Sequence, residues 1–72
     1  MVIKAFDTLE ALSKRFGSEV FEDIADKSLF VYHRNENAWY RYRWTPGNRE
    51  IRYVEEVKGE LPIIIQVYPA IT

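Results

Sequence analysis

Hydrophobic positions near the start of the chain predict a short strand followed by a helix. The segment 2–6, VIKAF, is apolar and β-branched at its start, which is typical of a strand. Asp7 and Thr8 then form a capping signal for a helix with apolar side chains at helical spacing. We expect this helix to end at Gly17, because glycine readily adopts the left-handed conformation of a helix C-terminus.

A second short helix is predicted directly after Gly17. Ser18 is a favoured N-cap residue, and acidic side chains follow it near the positive end of the helix dipole. The apolar side chains of this segment fall on one stripe of a helix, and they are Val20, Phe21, Ile24 and Ala25.

From residue 29 onward the apolar positions alternate, which indicates strands. Four strands are predicted, at 29–34, 38–44, 49–57 and 61–68. Turn signals at 35–37, 45–48 and 58–59 separate them. The predicted fold class is therefore α+β: an N-terminal strand, two short helices, then a four-stranded antiparallel meander with the helices packed on one sheet face. Residues 1–72 form a single small domain.

The turn at 45–48 predicts which side chains share a face of the sheet. If it pairs Trp44 with Arg49, one face collects the side chains of a core. These are Tyr40, Tyr42, Trp44, Ile51 and Tyr53. The opposite face then carries Trp39, Arg41, Arg43, Glu50, Arg52 and Val54. A tight turn at 58–59 adds Ile63 and Ile65 to that second face, opposite Val54 and Arg52.

The first hairpin admits two registers, and a slip of one residue moves every side chain to the other face. A loop of three residues places Phe30 and Tyr32 on the core face. A loop of four residues places there instead Leu29, Val31 and His33. In that second register the arginine-bearing face gains Phe30, Tyr32 and Arg34. The sequence leaves both registers open.

The amino-acid composition indicates a folded chain and gives no signal of a metal or cofactor site. Hydrophobic residues make up 47% of the chain and aromatic residues 15%. The absence of cysteine and the single histidine exclude disulfides, thiolate metal sites and multi-histidine sites. No apolar run approaches the length of a membrane span and no secretion signal is visible, so we expect a cytoplasmic protein without a cofactor.

The two-sided hydrophobicity of the sheet predicts an interaction surface. Two short helices cover only one sheet face, so the other would expose an apolar patch rimmed by arginines. We therefore expect a non-enzymatic binding or assembly domain, with a homodimer or a protein partner and no membrane association. The predicted interaction face consists of Trp39, Arg41, Arg43, Arg52, Val54, Ile63 and Ile65.

Charge distribution raises single-stranded RNA as an alternative ligand. Net charge is −1, yet residues 33–52 carry five arginines against two glutamates. Guanidinium groups neutralise phosphates and exposed aromatic rings stack on unpaired bases. The residues for such a role are Arg34, Trp39, Arg41, Arg43 and Arg52. A helix-turn-helix reading of residues 9–27 fails, because its second helix is strongly acidic and phosphates would repel it.

The segments YRYRW, REIRYVEE and IIIQVY resemble the end of small ribonuclease toxins of the RelE type, in which arginine-bearing strands precede a final apolar strand. The resemblance covers the last half of the chain and carries no specific motif. It implies phosphate contact and proton transfer by Arg41, Arg43, Arg52 and His33. Residue chemistry alone predicts no enzyme, since the lone histidine lacks an evident orienting partner and Glu55 and Glu56 point to opposite sheet faces.

Overall fold

A computed structural model of the chain describes residues 5–47 and 49–70, which form one antiparallel sheet with a helix on one face. In chain order the elements are β1 (Ala5–Phe6), α1 (Leu9–Phe16), β2 (Val20–Asp23), β3 (Leu29–His33), β4 (Ala38–Trp44), β5 (Ile51–Glu56) and β6 (Ile64–Tyr68). The six strands lie in the order β1-β5-β4-β3-β2-β6. The remainder of the predicted first strand, 2–4, and Asn48 of the predicted turn lie outside the described residues.

Helix α1 begins and ends where its capping residues predict. The hydroxyl of Thr8 accepts a hydrogen bond of 3.0 Å from the backbone N–H of Ala11, which satisfies a free donor of the first turn. Gly17 adopts φ 64°, a left-handed conformation, and its N–H donates to the carbonyl of Ser13. With eight residues α1 is short, and no helix in the described part of the chain is long and apolar enough to cross a membrane.

The prediction of a second helix is wrong, because residues 20–23 form strand β2. Val20 points into the core while Phe21 points to the opposite sheet face, so the apolar run is divided between two faces. Asp23, predicted to lie near the positive end of that helix, shapes a turn instead, together with Asp26. Asp23 accepts from the N–H of Ala25 at 2.8 Å, and Asp26 accepts from the N–H of Ser28 at 2.9 Å. Aspartate favours such local turns over helix interiors because its short carboxylate competes for nearby N–H groups.

The predicted four-stranded meander is also wrong at its last strand. β6 pairs with β2 at the far edge of the sheet and not with β5. Residues 57–63 therefore connect opposite regions of the sheet, and Val57 and Pro62 line a cleft together with Phe30 of β3. Phe30 is only 3% exposed beneath this connection, although it lies on the face opposite α1. A strand pair that joins distant parts of the chain leaves no local signal in the sequence. Residues 58–59 do carry a turn signal, and it favoured the wrong pairing of β6 with β5.

The β4–β5 pair keeps the predicted faces in a different register. Trp44 lies opposite Ile51 and Tyr42 opposite Tyr53, so the strands are displaced by two residues from the predicted pairing. A displacement of two preserves which face each side chain occupies. The register shifts between Arg41 and Tyr42, which leaves Val54 as the additional residue of a β-bulge.

The β3–β4 hairpin has the four-residue loop. His33 pairs with Ala38 and Leu29 with Tyr42, so the loop comprises residues 34–37. The buried core beneath α1 consists of Leu12, Val20, Leu29, Val31, Tyr42 and Ile51. His33 lies on this core face as the four-residue register requires.

Candidate functional site

The sheet face opposite α1 carries three of the predicted arginines, and we call it the arginine face. Arg43 pairs directly with Arg52 across β4 and β5, and Arg41 lies on the same face opposite Phe30. Each guanidinium has a carboxylate neighbour. Nη2 of Arg41 lies 2.7 Å from Glu55, Nη2 of Arg52 2.5 Å from Glu50, and Nη2 of Arg43 3.5 Å from Asp26. The positive charge of the arginine face is thus balanced within the chain, which weakens it as a phosphate-binding surface.

Ser28 fixes the two central arginines of this face. Its side chain is fully buried, and its hydroxyl oxygen accepts from Nη1 of Arg41 at 3.1 Å and from Nη2 of Arg43 at 2.9 Å. The backbone N–H of Ser28 lowers the pKa of Asp26, with further lowering by the Ser28 side chain and by Arg43. Arg41 and Arg43 are therefore held in place by their own neighbours.

Trp39 is the aromatic residue of the predicted interaction face, and it belongs to an aromatic cluster at the end of the arginine face. Its ring makes edge contacts with Tyr32 at 5.5 Å and with Phe21 at 5.7 Å between centroids. These three rings and Arg34 line an open cleft of about 430 Å³. Trp39 is half-buried in these contacts.

The aliphatic members of the predicted interaction face are not brought together. Val54 lies in the β5 bulge, whereas Ile63 and Ile65 lie at the opposite edge of the sheet. The predicted face of Ile65 is wrong, because Ile65 pairs with Glu22 and so lies on the sheet face that carries α1. Ile63 is 74% exposed and Ile65 is 50% exposed. The N–H of Ile24 donates to the carbonyl of Ile63 at 3.4 Å, so the equally exposed Ile24 adjoins them. Three of the four exposed large hydrophobic side chains in the described residues thus gather at one edge, which we call the β6 edge.

Strand β6 itself carries no charge, although Glu22 and Asp23 of β2 lie opposite Ile65 and Ile64. Residues 61–70, LPIIIQVYPA, contain no acidic or basic side chain. β6 is the last strand of the sheet, and among the described residues it pairs only with β2. Proteins usually protect such edges with charged side chains or with very short strands. With five uncharged residues, β6 has neither form of protection.

A second candidate site surrounds the single histidine, at the junction of α1 and the first hairpin. His33 is 8% exposed, and its ring stacks between Phe16 at 3.7 Å and Tyr40 at 3.9 Å. Tyr42, also buried, places its hydroxyl 3.0 Å from Nε2 of His33. A cleft of about 260 Å³, which we call the basic cleft, opens beside this stack. It is lined by Arg15, Phe16, His33, Arg34, Asn35 and Glu36.

Electrostatics distinguish the basic cleft from the arginine face. Burial lowers the pKa of His33, and the nearby positive charge of Arg15 lowers it further. Neither Arg15 nor Arg34 lies within ion-pair distance of a carboxylate in the described part of the chain. Sequence reasoning missed Arg15, because nothing in the helical pattern signals that this residue reaches the first hairpin.

Comparisons with known proteins add no relationship to this geometry. No family model matches the chain, and searches of curated proteins and of solved structures find no significant match. The resemblance to RelE-type toxins therefore stays a prediction. Within the residues that the structure describes, no group of three or more histidine or carboxylate side chains is arranged to hold a metal ion.

Proposed function

We propose that this chain is an assembly domain that self-associates by pairing its β6 edge with the β6 edge of a second copy. The observation that carries the proposal is a five-residue edge strand without charge, next to three exposed isoleucines. An exposed strand edge offers unpaired N–H and C=O groups to another strand. Adjacent apolar side chains make that pairing favourable in water.

The orientation of the edge groups supports strand addition at the centre of β6. The carbonyl of Ile63 accepts from Ile24 and so points toward β2. Main-chain groups of alternate residues point to opposite edges of a strand, so those of Ile64 and Gln66 face outward. Gln66 is the middle residue of β6. Two copies related by a two-fold axis at Gln66 would align the outward groups of Gln66, next to the bulge at Val67 where β6 shifts its register against β2.

The side chains of β6 are complementary to themselves in this register. Ile65 would face Val67 of the second copy on the side of the sheet that carries α1, and Gln66 would face Gln66. Nε2 of Gln66 donates one hydrogen to the carbonyl of Pro69 at 2.8 Å, which leaves its second hydrogen and Oε1 for the facing amide. The two aliphatic side chains would pack, and no like charges would oppose each other. Pro62 and Pro69 flank the strand and cannot donate to a ladder, which limits the pairing to its central residues.

Symmetric pairing with one second copy suits the β6 edge better than head-to-tail association into an open chain of copies. Head-to-tail association would pair β6 of one molecule with β1 of the next and would propagate as a fibre. β1 differs in sequence from β6, so a head-to-tail pairing lacks the self-complementary register that two β6 strands offer each other. Symmetric β6–β6 pairing is complete with two molecules, and it joins their two sheets into one continuous sheet.

Sedimentation velocity over a range of concentrations tests the proposal with the variants Ile65→Lys and Val54→Lys. Both replace an exposed aliphatic residue, but only Ile65 lies at the β6 edge. A five-residue pairing is smaller than the about 800 Å² per partner of standard interfaces, so we expect a reversible dimer with a dissociation constant on the order of 10 µM. We expect I65K to be monomeric and V54K to behave like the wild type. A wild-type monomer at the highest concentration, or equal dimerisation of I65K, contradicts the proposal.

A further inference from the structure

The hydrogen bond between Tyr42 and His33 defines which imidazole nitrogen faces the basic cleft. Burial raises the pKa of the Tyr42 phenol, so this hydroxyl keeps its proton and needs an acceptor for it. Its hydrogen-bond partner among the described residues is Nε2 of His33. We infer that Nε2 accepts this proton, and we assign the proton of the neutral imidazole to Nδ1.

The Nδ1–H group is a free donor at the surface of the cleft. No hydrogen bond from Nδ1 occurs within residues 5–47 and 49–70. In that part of the chain no fully buried side-chain nitrogen or oxygen lacks a partner, so an unpaired Nδ1 must reach the cleft that His33 lines. A side chain that is more than nine-tenths buried thus directs one polar hydrogen outward.

We propose that the basic cleft binds a phosphate group, which would accept hydrogen bonds from Nδ1–H of His33 and from the guanidinium groups of Arg15 and Arg34. Guanidinium forks match the spacing of oxyanion oxygens, and two guanidinium groups balance the charge of a doubly charged phosphate. The three donors come from α1, β3 and the loop that follows β3. This site lies apart from the β6 edge and does not depend on self-association.

Charged and titratable groups approach His33 from three elements, and they determine how its protonation responds to a bound anion. Arg15 approaches from α1, Tyr40 and Tyr42 from β4, and Arg34 and Glu36 from the hairpin loop. Glu36 is the one carboxylate lining the cleft, and it repels an anion. A bound phosphate places negative charge beside the imidazole, so it stabilises the protonated form of His33.

Nuclear magnetic resonance of the single histidine tests this site directly. We would titrate the full chain with inorganic phosphate, with adenosine monophosphate and with adenosine, and follow the imidazole Cε1–H resonance. We expect a saturating shift with both phosphates and none with adenosine. A shift with adenosine monophosphate alone would mean that the cleft recognises the nucleoside, and it would overturn the assignment to a phosphate group.

Charge variants identify the ligands of the phosphate. Arg15→Gln and Arg34→Gln should each weaken phosphate binding about tenfold or more, since each removes a charge-assisted hydrogen bond. Arg49→Gln removes the same charge from an exposed residue that does not line the cleft, so it is the matched control. Glu36→Gln should tighten binding. A linear response without saturation, or equal affinities for R15Q, R34Q and R49Q, would falsify the proposal.

Discussion

The hydroxyl of Tyr42 lies 3.0 Å from Nε2 of His33, and this hydrogen bond joins neighbouring strands β4 and β3 inside the core. The ring of His33 is also stacked on Phe16 of α1. A polar pair therefore connects the helix and two strands at the point where the basic cleft opens. Its loss would affect both the stability of the core and the tautomer that we assign to His33.

Replacing Tyr42 with phenylalanine should lower the free energy of unfolding by about 1–3 kcal/mol, because a buried Nε2 loses its donor. Urea denaturation followed by circular dichroism measures this change. Tyr53→Phe is the matched control, since Tyr53 lies opposite Tyr42 on β5 and no hydrogen bond of its hydroxyl occurs among the described residues. Equal stability of Y42F and Y53F would mean that the hydrogen bond contributes nothing.

Stability should decrease as the pH falls from about 7 to about 5, because the pKa of His33 in the folded state lies below its ordinary value of 6.5. In this range the unfolded chain binds a proton that the folded chain binds less readily. The stabilisation is fully present above pH 6.5 and is lost as the pH falls through the lower pKa of the folded state. Denaturation at several pH values measures the slope.

The variant His33→Gln separates this effect from titration of carboxylates. We expect H33Q to be less stable at every pH, since it loses the ring stack, but its stability should be nearly independent of pH between about 7 and 5. The lowered pKa of Asp26 acts in a lower range, below its ordinary value of 3.8. A slope in H33Q as steep as in the wild type would assign the pH dependence to other groups.

Ser28 offers a test of how the arginine face is organised. Ser28→Ala removes the acceptor shared by Arg41 and Arg43, and we expect a loss of about 1–2 kcal/mol in the free energy of unfolding. The pKa of Asp26 should also rise part of the way toward its ordinary value, because the Ser28 backbone N–H remains. Ser18→Ala is the control, since the hydroxyl of Ser18 reaches a carbonyl only at 3.5 Å. An unchanged Asp26 pKa in S28A would contradict the role of the hydroxyl.

Side-chain alternation predicted the faces of β4 and β5 well, for a physical reason, whereas it left the face of β3 open between two registers. Tyr42 and Ile51 lie in the core although their predicted pairing is wrong, because a displacement of two residues leaves both faces unchanged. The same alternation placed Trp39 and Arg41 on the other face. The local pattern was sufficient wherever the question was only which face of the sheet a side chain occupies.

Long-range pairing and local polar geometry were beyond that pattern. A short apolar run such as Val20 and Phe21 suits a strand or a helix equally, and only its position between β3 and β6 decides. The ion pair between Arg41 and Glu55 depends on the bulge at Val54. Arg15 could not be linked to His33 because the two residues meet only after α1 packs on the sheet.

The symmetric register at the β6 edge predicts a specific disulfide. Gln66→Cys should form a covalent dimer on mild oxidation, because Gln66 would face Gln66 of the second copy at a Cα separation of about 5.5 Å, within the range for a disulfide. The chain has no native cysteine, so any cross-link must come from the introduced residue. Non-reducing electrophoresis at concentrations above and below the dissociation constant measures the yield.

Val54→Cys is the matched control for this cross-link. Val54 is exposed like the β6 edge residues, but it lies in the bulge of β5 on the other side of the sheet. We expect V54C to remain monomeric, and the double variant Q66C/I65K to lose the cross-link because two lysines enter the pairing. If the wild type dimerises while Q66C and V54C cross-link equally slowly, the two copies do not meet at Gln66. The self-pairing of β6 in this register would then be wrong, even with a genuine dimer.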